Sequence, residues 1–226
     1  MAGSKTNPAL KTARVLIVDD HPAVREGLAL RICGQADLEV CGEAADVGEA
    51  LQLIVKTRPD VAVIDIALKR GNGIDLIKRI TARKESVRML VWSMYSDTLY
   101  AERALRAGAL GYINKENATD QIITGIRTVL QGKVYLSEPA SSRLLGRLVH
   151  GEGDNAGRSP VETLSDRELE VFNLIAEGLD THQIAEKMRI SHKTVETYRA
   201  RIKEKLDLGS STELLRHAVQ WLLEER

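Results

Sequence analysis

Five short apolar runs alternate with helical patterns through residues 14–132 of this 226-residue chain. The first run, residues 15–18, is continuous rather than alternating with polar residues, which is typical of a strand buried on both faces. The five runs cover residues 15–18, 38–44, 61–67, 88–92 and 111–114, and the helical patterns cover residues 23–32, 47–57, 74–83, 99–107 and 119–131. This alternation predicts an α/β fold in which a doubly wound, five-stranded parallel sheet has helices on both faces.

Carboxylates stand at the ends of two of these runs. Asp19 and Asp20 follow the first run, and Asp65 follows the apolar residues 61–64 of the third. Two adjacent like charges are either solvated in a loop or held around a cation. Because the carboxyl ends of neighbouring parallel strands lie about 5 Å apart, the three side chains can converge in one pocket. Three carboxylates with water and a backbone carbonyl suit Mg²⁺, and one of them could accept a phosphoryl group.

Two further strand ends supply groups that phosphoryl chemistry needs. Ser93 follows the fourth run and has a hydroxyl that can donate to a phosphoryl oxygen, while Lys115 follows the fifth and has an ammonium that can pair with another. Each residue type is common alone, but their order at the ends of four strands indicates a phosphoryl-accepting site. His21 follows the acid pair, and we interpret it as structural because this loop geometry favours oxygen ligands.

The second half of the chain differs in character. Residues 133–163 are turn-rich, with a possible short amphipathic helix, and we interpret them as a linker. From residue 164 every pattern is helical and predicts a four-helix domain, which begins with a capping box at Ser165 and Glu168. The chain has no net formal charge, yet residues 187–205 contain seven Lys and Arg against two Glu, a local charge of +5. Such a stretch suits a polyanion.

Residues 181–206 have the layout of a helix–turn–helix motif. The first helix would bury Ile184, Ala185 and Met188, and the second would bury apolar residues at helical spacing. The exposed positions of the second helix are then candidates for contacts with phosphates and base edges. The DNA-binding candidates are Lys193, Thr194, Glu196, Thr197, Arg199, Ala200, Arg201 and Lys203.

Residues 14–132 resemble the receiver (CheY-like) domain of two-component response regulators through the pieces VDDH, IDIAL, WS and GYINK. The resemblance implies that Asp65 accepts a phosphoryl group from a sensor histidine kinase and that Asp19, Asp20, Asp65 and the main-chain carbonyl of Ala67 hold Mg²⁺. It also implies that Ser93 and Lys115 assist the transfer, and that Ser93 and Tyr112 form a conformational switch. One departure is Lys69, which stands where such domains usually have proline.

Residues 164–226 resemble the LuxR-type DNA-binding domain of the NarL/FixJ class, through LSDRELEVFNLIAEG, QIAEKMRIS, KTVETYRARIKEKL and STELLRHAVQWLLEE. The resemblance implies that the second helix of the motif contacts double-stranded DNA at promoter half-sites, and that the last helix takes part in homodimer formation. The dimer candidates are Leu214, Leu215, Ala218 and Leu222, although packing in the domain's own core is an equally good interpretation of any one of them. Glu196 replaces a lysine that is frequent in the family, so base preference is not transferred.

The sequence therefore predicts a phosphorylation-controlled, DNA-binding transcription regulator rather than an enzyme. One alternative is a regulator whose DNA binding ignores phosphorylation. Another is a phosphotransfer enzyme with Asp65 as nucleophile, but Ala67 replaces the second aspartate of the haloacid-dehalogenase signature. The cognate kinase, the operator sequence and the direction of regulation are not encoded in any motif.

Residues 1–13 have no apolar segment of the signal-peptide type, and no apolar run approaches the length of about 18 residues that a membrane span requires. We therefore expect a flexible N-terminal tail on a cytoplasmic protein that does not contact the membrane.

Overall fold

The computed structural model describes residues 12–116, 121–150 and 159–224. Its first part contains a five-stranded sheet with the strand order β2-β1-β3-β4-β5, and every neighbouring pair is parallel. The strands are β1 (Ala13–Val18), β2 (Leu38–Ala44), β3 (Val61–Ile64), β4 (Arg88–Ser93) and β5 (Gly111–Asn114). The predicted doubly wound parallel sheet is confirmed.

Five helices connect and cover the strands. They are α1 (Pro22–Cys33), α2 (Val47–Thr57), α3 (Gly73–Ala82), α4 (Asp97–Ala107) and α5 (Ile122–Leu130). Local signals fix several starts: Asp46 accepts from the backbone N–H of Glu49 at the start of α2, and Asn72 accepts from that of Ile74 at the start of α3. The α2 prediction matches the observed bounds, whereas part of the predicted start of α5 lies outside the described residues.

The strands β1, β3 and β4 are buried on both faces over most of their length, whereas the edge strand β2 is partly exposed. Alternate residues of β1 point to opposite sides, so Leu16 and Val18 pack in one hydrophobic cluster while Val15 and Ile17 pack in the other. All four are at most 1% exposed. The rigid layer that results holds the carboxyl ends of its strands at one edge, where the candidate site lies.

The remaining helices form the second part of the chain. They are α6 (Glu138–His150), a 3₁₀ helix (Pro160–Thr163), α7 (Asp166–Ala176), α8 (Thr181–Met188), α9 (His192–Lys205) and α10 (Ser211–Glu224). The predicted capping box at Ser165 and Glu168 is present, and Asp180 and Gln183 form a second one at the start of α8. The predicted linker thus contains a helix, and residues 151–158 lie outside the described part. Within the described residues, no helix combines the length and apolar character needed to cross a membrane.

Gly73 allows the first turn of α3 to approach the strand end that contains Asp65. A Cβ atom on Gly73 would lie 2.2 Å from the carbonyl oxygen of Asp65 and 2.8 Å from Cα of Ile66. We predict that Gly73→Ala lowers the free energy of unfolding by about 1–3 kcal/mol, because the backbone must shift. Urea denaturation followed by tryptophan fluorescence measures this change.

Gly27→Ala is the matched control, since Gly27 lies in α1 and a Cβ atom there would meet nothing within 4 Å. It should stabilise the protein by about 0.5–1 kcal/mol through helix propensity. A Gly73→Ala protein as stable as wild type would contradict the close approach at Asp65.

Candidate functional site

The predicted acidic pocket forms at the carboxyl edge of the sheet. Asp19 and Asp65 follow the adjacent strands β1 and β3 and are 2% and 3% exposed, respectively, and Asp20 stands beside Asp19. The backbone N–H of Asp65 donates to the carbonyl oxygen of Val18 at 2.8 Å, which ties the two strand ends together. Together with His21, the three aspartates offer ligand atoms that all lie within 4.8 Å of one another. The structure therefore brings the three predicted carboxylates together.

Lys115 enters this pocket from the end of β5. Its Nζ donates to Oδ2 of Asp19 and to Oδ2 of Asp65, each at 2.6 Å, and its side chain is 7% exposed. The same ammonium lies 5.3 Å from the centre of the Trp92 ring, a distance that suits a cation–π contact. The backbone N–H of Lys115 donates to the carbonyl oxygen of Ser93 at 2.8 Å, which fixes the start of this loop. One cation thus bridges two buried carboxylates.

The pKa of Asp65 is raised above the ordinary value of an aspartate. Burial is the main cause, because it disfavours the charged carboxylate, and the nearby Asp19 adds to the effect. Lys115 opposes the shift through its charge and its hydrogen bond. A further cation at the pocket would favour the ionised form that nucleophilic attack requires.

Three buried side-chain atoms in this region lack a hydrogen-bond partner among the described residues. They are Oγ of Ser93, which is 1% exposed, Oδ1 of Asp20 and Nε1 of Trp92. A buried polar atom without a hydrogen bond is costly, and it points to a ligand that would satisfy it. The residues present therefore fit a hard divalent cation together with an oxyanion. Ala67 lies two residues after Asp65, and its N–H donates to Oδ1 of Asp65 at 3.3 Å; the role of its carbonyl stays a prediction.

Tyr112 lies inside the domain in this structure. Its ring is 1% exposed, and its hydroxyl donates to the carbonyl oxygen of Tyr95 at 2.8 Å. Burial raises the pKa of the Tyr112 hydroxyl well above the ordinary value. The ring is therefore already buried, and the predicted role of Tyr112 in a conformational switch stays a prediction.

The helix–turn–helix motif consists of α8 and α9. Val195, Ile202 and Leu206 are buried, as the spacing predicts. The eight DNA-binding candidates all lie on α9, and none is buried. Of these, Lys193, Glu196, Thr197, Ala200 and Arg201 are exposed, and the other three are half-buried. The carboxylate of Glu196 accepts from the hydroxyl of Thr181 at 2.8 Å. The described residues of the first part of the chain therefore do not cover the surface of α9 that these candidates form.

The four dimer candidates on α10 divide into two groups. Leu214 and Ala218 are fully buried and belong to the core of their own domain, which is the alternative interpretation that the sequence left open. Leu215 is 44% exposed and Leu222 is partly exposed. Val219 and Leu223 extend an exposed apolar stripe from Leu215 at intervals of four residues. Sequence analysis missed these two.

Contacts between the two parts of the chain were also missed. Arg103 of α4 donates to Oδ1 of Asp166 at 2.9 Å and to the carbonyl oxygens of Glu162 and Leu164 at 3.0 and 2.8 Å. Lys78 of α3 pairs with the other oxygen of Asp166 at 2.6 Å. These two cations lower the pKa of Asp166 against the opposing effect of burial. No local sequence pattern predicts such ion pairs, because the two residues of each pair lie far apart in the sequence.

A buried polar contact lies at the same junction. The side-chain amide of Asn173 on α7 donates to the hydroxyl of Tyr100 on α4 at 2.5 Å. The Tyr100 ring stacks on that of Tyr95, with 4.8 Å between the ring centres. A cavity of about 180 Å³ beside them is lined by Ala67 and Met94 from the sheet edge and by Trp221 from α10. The last helix therefore faces the receiver side of the chain.

This fold and this site define a class: regulators in which an acidic phosphoryl-receiver pocket precedes a helix–turn–helix domain. The family described as "Response regulator receiver domain" matches residues 15–127, and "Bacterial regulatory proteins, luxR family" matches residues 162–218. The oxygen regulatory protein NreC of Staphylococcus haemolyticus is 37% identical over 210 residues, which are 92% of this chain and 97% of NreC. The chain therefore belongs to the response regulators that join a receiver domain to a LuxR-type DNA-binding domain.

Solved structures agree with this assignment. RcsB of Salmonella enterica serovar Typhimurium, bound to promoter rprA in the presence of phosphomimetic BeF3-, has a TM-score of 0.66 and 26% identity, covering 92% of this chain and 99% of RcsB. Another RcsB structure has a TM-score of 0.71 and 25% identity, covering 93% of this chain and 98% of RcsB. The predicted response-regulator family and its function in DNA-binding transcription regulation are confirmed at this level.

The raised pKa of Asp65 makes a prediction for stability. Between the pKa values of the unfolded and folded states the folded chain binds more protons, so stability falls as pH rises through that window. With a chelator present, Asp65→Asn should raise the free energy of unfolding at pH 7.5, because the neutral amide removes a buried charge whose ionised form is disfavoured. The difference should shrink as the pH approaches about 4. Urea titrations across this range provide the measurement.

Asp37→Asn is the control with the opposite sign. The hydrogen bond from Arg127 lowers the pKa of Asp37, so its contribution to stability is present at neutral pH and is lost as pH falls. Asp37→Asn should therefore destabilise the protein at pH 7.5. If the difference in the free energy of unfolding between wild type and Asp65→Asn does not depend on pH, Asp65 is not a carboxylate with a raised pKa.

Proposed function

We propose that the protein is a transcription regulator whose DNA binding is controlled by phosphorylation of Asp65. A sensor histidine kinase supplies the phosphoryl group, and Asp19, Asp20, Asp65 and the main-chain carbonyl of Ala67 hold Mg²⁺. The receiver domain spans residues 14–132, the linker spans 133–163, and the DNA-binding domain spans 164–226. The single observation that supports this proposal is the buried contact of Lys115 with both Asp19 and Asp65, each at 2.6 Å.

The chemistry follows from the charges at the pocket. An oxygen of the Asp65 carboxylate attacks phosphorus, the bond to the donor's leaving group breaks, and an acyl phosphate results. When held by these residues, Mg²⁺ would neutralise part of the phosphoryl charge. Lys115 stands within reach to pair with one phosphoryl oxygen, and Ser93 has an unused hydroxyl to donate to another. The pocket thus offers cations and donors where the added negative charge arises.

A continuous set of contacts leads from this pocket to the DNA-binding domain. Tyr112 donates to the backbone of Tyr95, Tyr95 stacks on Tyr100, and Tyr100 accepts from Asn173 of α7. When Ser93 moves to a phosphoryl oxygen, the loop after β4 that contains Tyr95 moves with it. This movement disturbs the stack and the hydrogen bond to Asn173, so the two domains separate.

Because α9 is already exposed, separation of the two domains must act on another part of the DNA-binding domain. The DNA-binding candidates of α9 are accessible while the domains remain in contact, so a covered recognition helix is not the controlled element. The receiver instead holds α7 and faces Trp221 of α10. We propose that separation frees α10 for pairing through its exposed stripe, Leu215, Val219 and Leu223, and that a homodimer binds two half-sites.

Phosphorylation of Asp65 is tested with a small phosphodonor and Mg²⁺, followed by intact mass. The wild-type protein should gain one phosphoryl group, and Asp65→Asn should gain none. Hydrogen exchange on the same samples should show faster exchange in α4 and α7 only after phosphorylation, because their contacts are lost.

Asp207→Asn is the matched control for this experiment. Asp207 is exposed, and its positive φ of 53° suits asparagine as well as aspartate. It should incorporate the phosphoryl group as the wild type does. Incorporation without any change in exchange would point to the regulator that ignores phosphorylation, and no incorporation from a donor or kinase would overturn the proposed acceptor.

The DNA interface is tested without knowledge of the operator. Arg201 is exposed on α9, so Arg201→Ala should weaken binding to non-specific duplex DNA and reduce the slope of log affinity against log salt by about 1. Fluorescence anisotropy at several salt concentrations measures both quantities. Arg216→Ala removes the same charge from α10 and should leave the slope unchanged. Equal effects of the two substitutions would mean that net charge, and not the α9 surface, governs binding.

A further inference from the structure

Two histidines meet where the two helices of the helix–turn–helix motif begin. His182 is the second residue of α8, and His192 is the first residue of α9. Their ring centres lie 4.3 Å apart, with an angle of 41° between the ring planes. Both residues are exposed, so their contact adds little to the hydrophobic core. A pair of imidazoles in contact at the surface therefore indicates a role other than packing.

The two helix starts that hold the pair are fixed by other contacts. The hydroxyl of Thr181, the first residue of α8, donates to Oε1 of Glu196 on α9 at 2.8 Å. Before α9, the hydroxyl oxygen of Ser191 accepts from the backbone N–H of Thr194 at 3.1 Å. The two imidazoles are therefore placed together by the packing of the helices and do not depend on their own contact for it.

The pair lies on the part of the motif that approaches DNA. In helix–turn–helix domains the N-terminal residues of the second helix reach the base edges, while the first helix crosses the phosphate backbone. His192 directly precedes Lys193, an exposed DNA-binding candidate, in a segment with seven Lys and Arg against two Glu. A backbone phosphate is therefore the anion that can reach both rings.

The charge of the pair depends on an anion. Imidazole is the side chain whose charge ordinarily changes between about pH 5 and about pH 8. Two protonated rings this close repel one another, so the second proton binds at a cost. A phosphate beside both rings offsets that cost, because a protonated imidazole forms a charge-assisted hydrogen bond with a phosphate oxygen. Proton binding and phosphate binding then strengthen each other by the same factor.

One carboxylate acts directly on the pair. The backbone N–H of Gln183 lowers the pKa of Asp180, the N-cap residue of α8, and the charges of His182 and His192 add to this effect. Asp180 thus favours a first proton on the pair, and a phosphate would supply the charge for a second. The other charged side chains nearby are Glu186 on α8, Lys193 and Glu196 on α9, and Glu177 at the end of α7, which pairs with Lys187.

We propose that His182 and His192 form a proton-dependent clamp for a DNA backbone phosphate, so that DNA binding tightens as the pH falls from about 8 to about 6. This inference rests on the part of the proposed function in which α9 contacts DNA, and it does not depend on phosphorylation of Asp65. Residues 181–206 predict the motif from sequence, but only the structure shows that its two histidines touch.

The test is fluorescence anisotropy of the full chain with a non-specific duplex at pH 8.0 and at pH 6.0, over a series of salt concentrations. At pH 6.0 the wild type should bind about three- to tenfold more tightly, and the slope of log affinity against log salt should steepen by about 1, because a further phosphate contact is charged. Calorimetry in two buffers of different ionisation enthalpy should show proton uptake on binding. The double variant His182→Gln/His192→Gln should lose all three effects.

Two further variants separate the pair from other titrating groups. His217→Gln is the matched control, since His217 lies on α10 with its ring against that of Phe172, and it should keep the full pH dependence. His192→Lys places a permanent charge at the pair, so it should bind more tightly than the wild type at pH 8.0 and gain less at pH 6.0.

The outcomes distinguish this inference from the proposed DNA interface. If the double variant keeps the pH dependence and the proton uptake of the wild type while Arg201→Ala still weakens binding, the clamp is overturned and the α9 interface stands. If Arg201→Ala and all histidine variants leave binding unchanged, both the clamp and the α9 interface fail.

Discussion

The contact of Lys115 with two buried carboxylates is the interaction on which the receiver pocket depends. Asp19 and Asp65 are almost fully buried at adjacent strand ends, where two negative charges repel one another and lose their hydration. A single ammonium from β5 reaches both at 2.6 Å and compensates that cost. The contact requires β1, β3 and β5 to end at the same edge, so the order of the sheet and the charge balance of the pocket specify one another. In the proposed function, the same cation is in place when a phosphoryl group adds charge.

The loop after β4 connects this pocket to the rest of the molecule. Ser93 lies at the pocket, and Tyr95, two residues later, accepts from Tyr112 and stacks on Tyr100. Tyr100 in turn contacts Asn173 of the DNA-binding domain. A change at the proposed phosphoryl site and a change at the domain junction therefore share a few residues of backbone. Such a short connection transmits small movements, because packed aromatic rings have few alternative arrangements.

The sequence predicts the sheet and the pocket well, because both follow from the pattern of apolar residues and from the positions of polar residues at the strand ends. Continuous apolar runs specify buried parallel strands, and the ends of those strands must meet, so Asp19, Asp65 and Lys115 could be placed together in advance. The domain junction could not be predicted. Arg103 and Asp166 are 63 residues apart in sequence, and each alone resembles an ordinary surface charge. The helical spacing of apolar residues likewise did not distinguish the core residue Leu214 from the exposed Leu215 on α10.

The receiver contacts α7 and faces α10, whereas α9 stays exposed. This arrangement favours control of dimer assembly over control of the access of DNA to α9. A single exposed α9 can contact DNA through phosphates, and that interaction depends on charge more than on the state of the receiver. Specific recognition of two half-sites requires two α9 helices at a fixed spacing, which only a dimer provides. Holding α7 and facing α10 restrains the geometry of the second copy while leaving α9 open. In the proposed function, phosphorylation therefore changes which DNA sites are bound more than whether DNA is contacted at all.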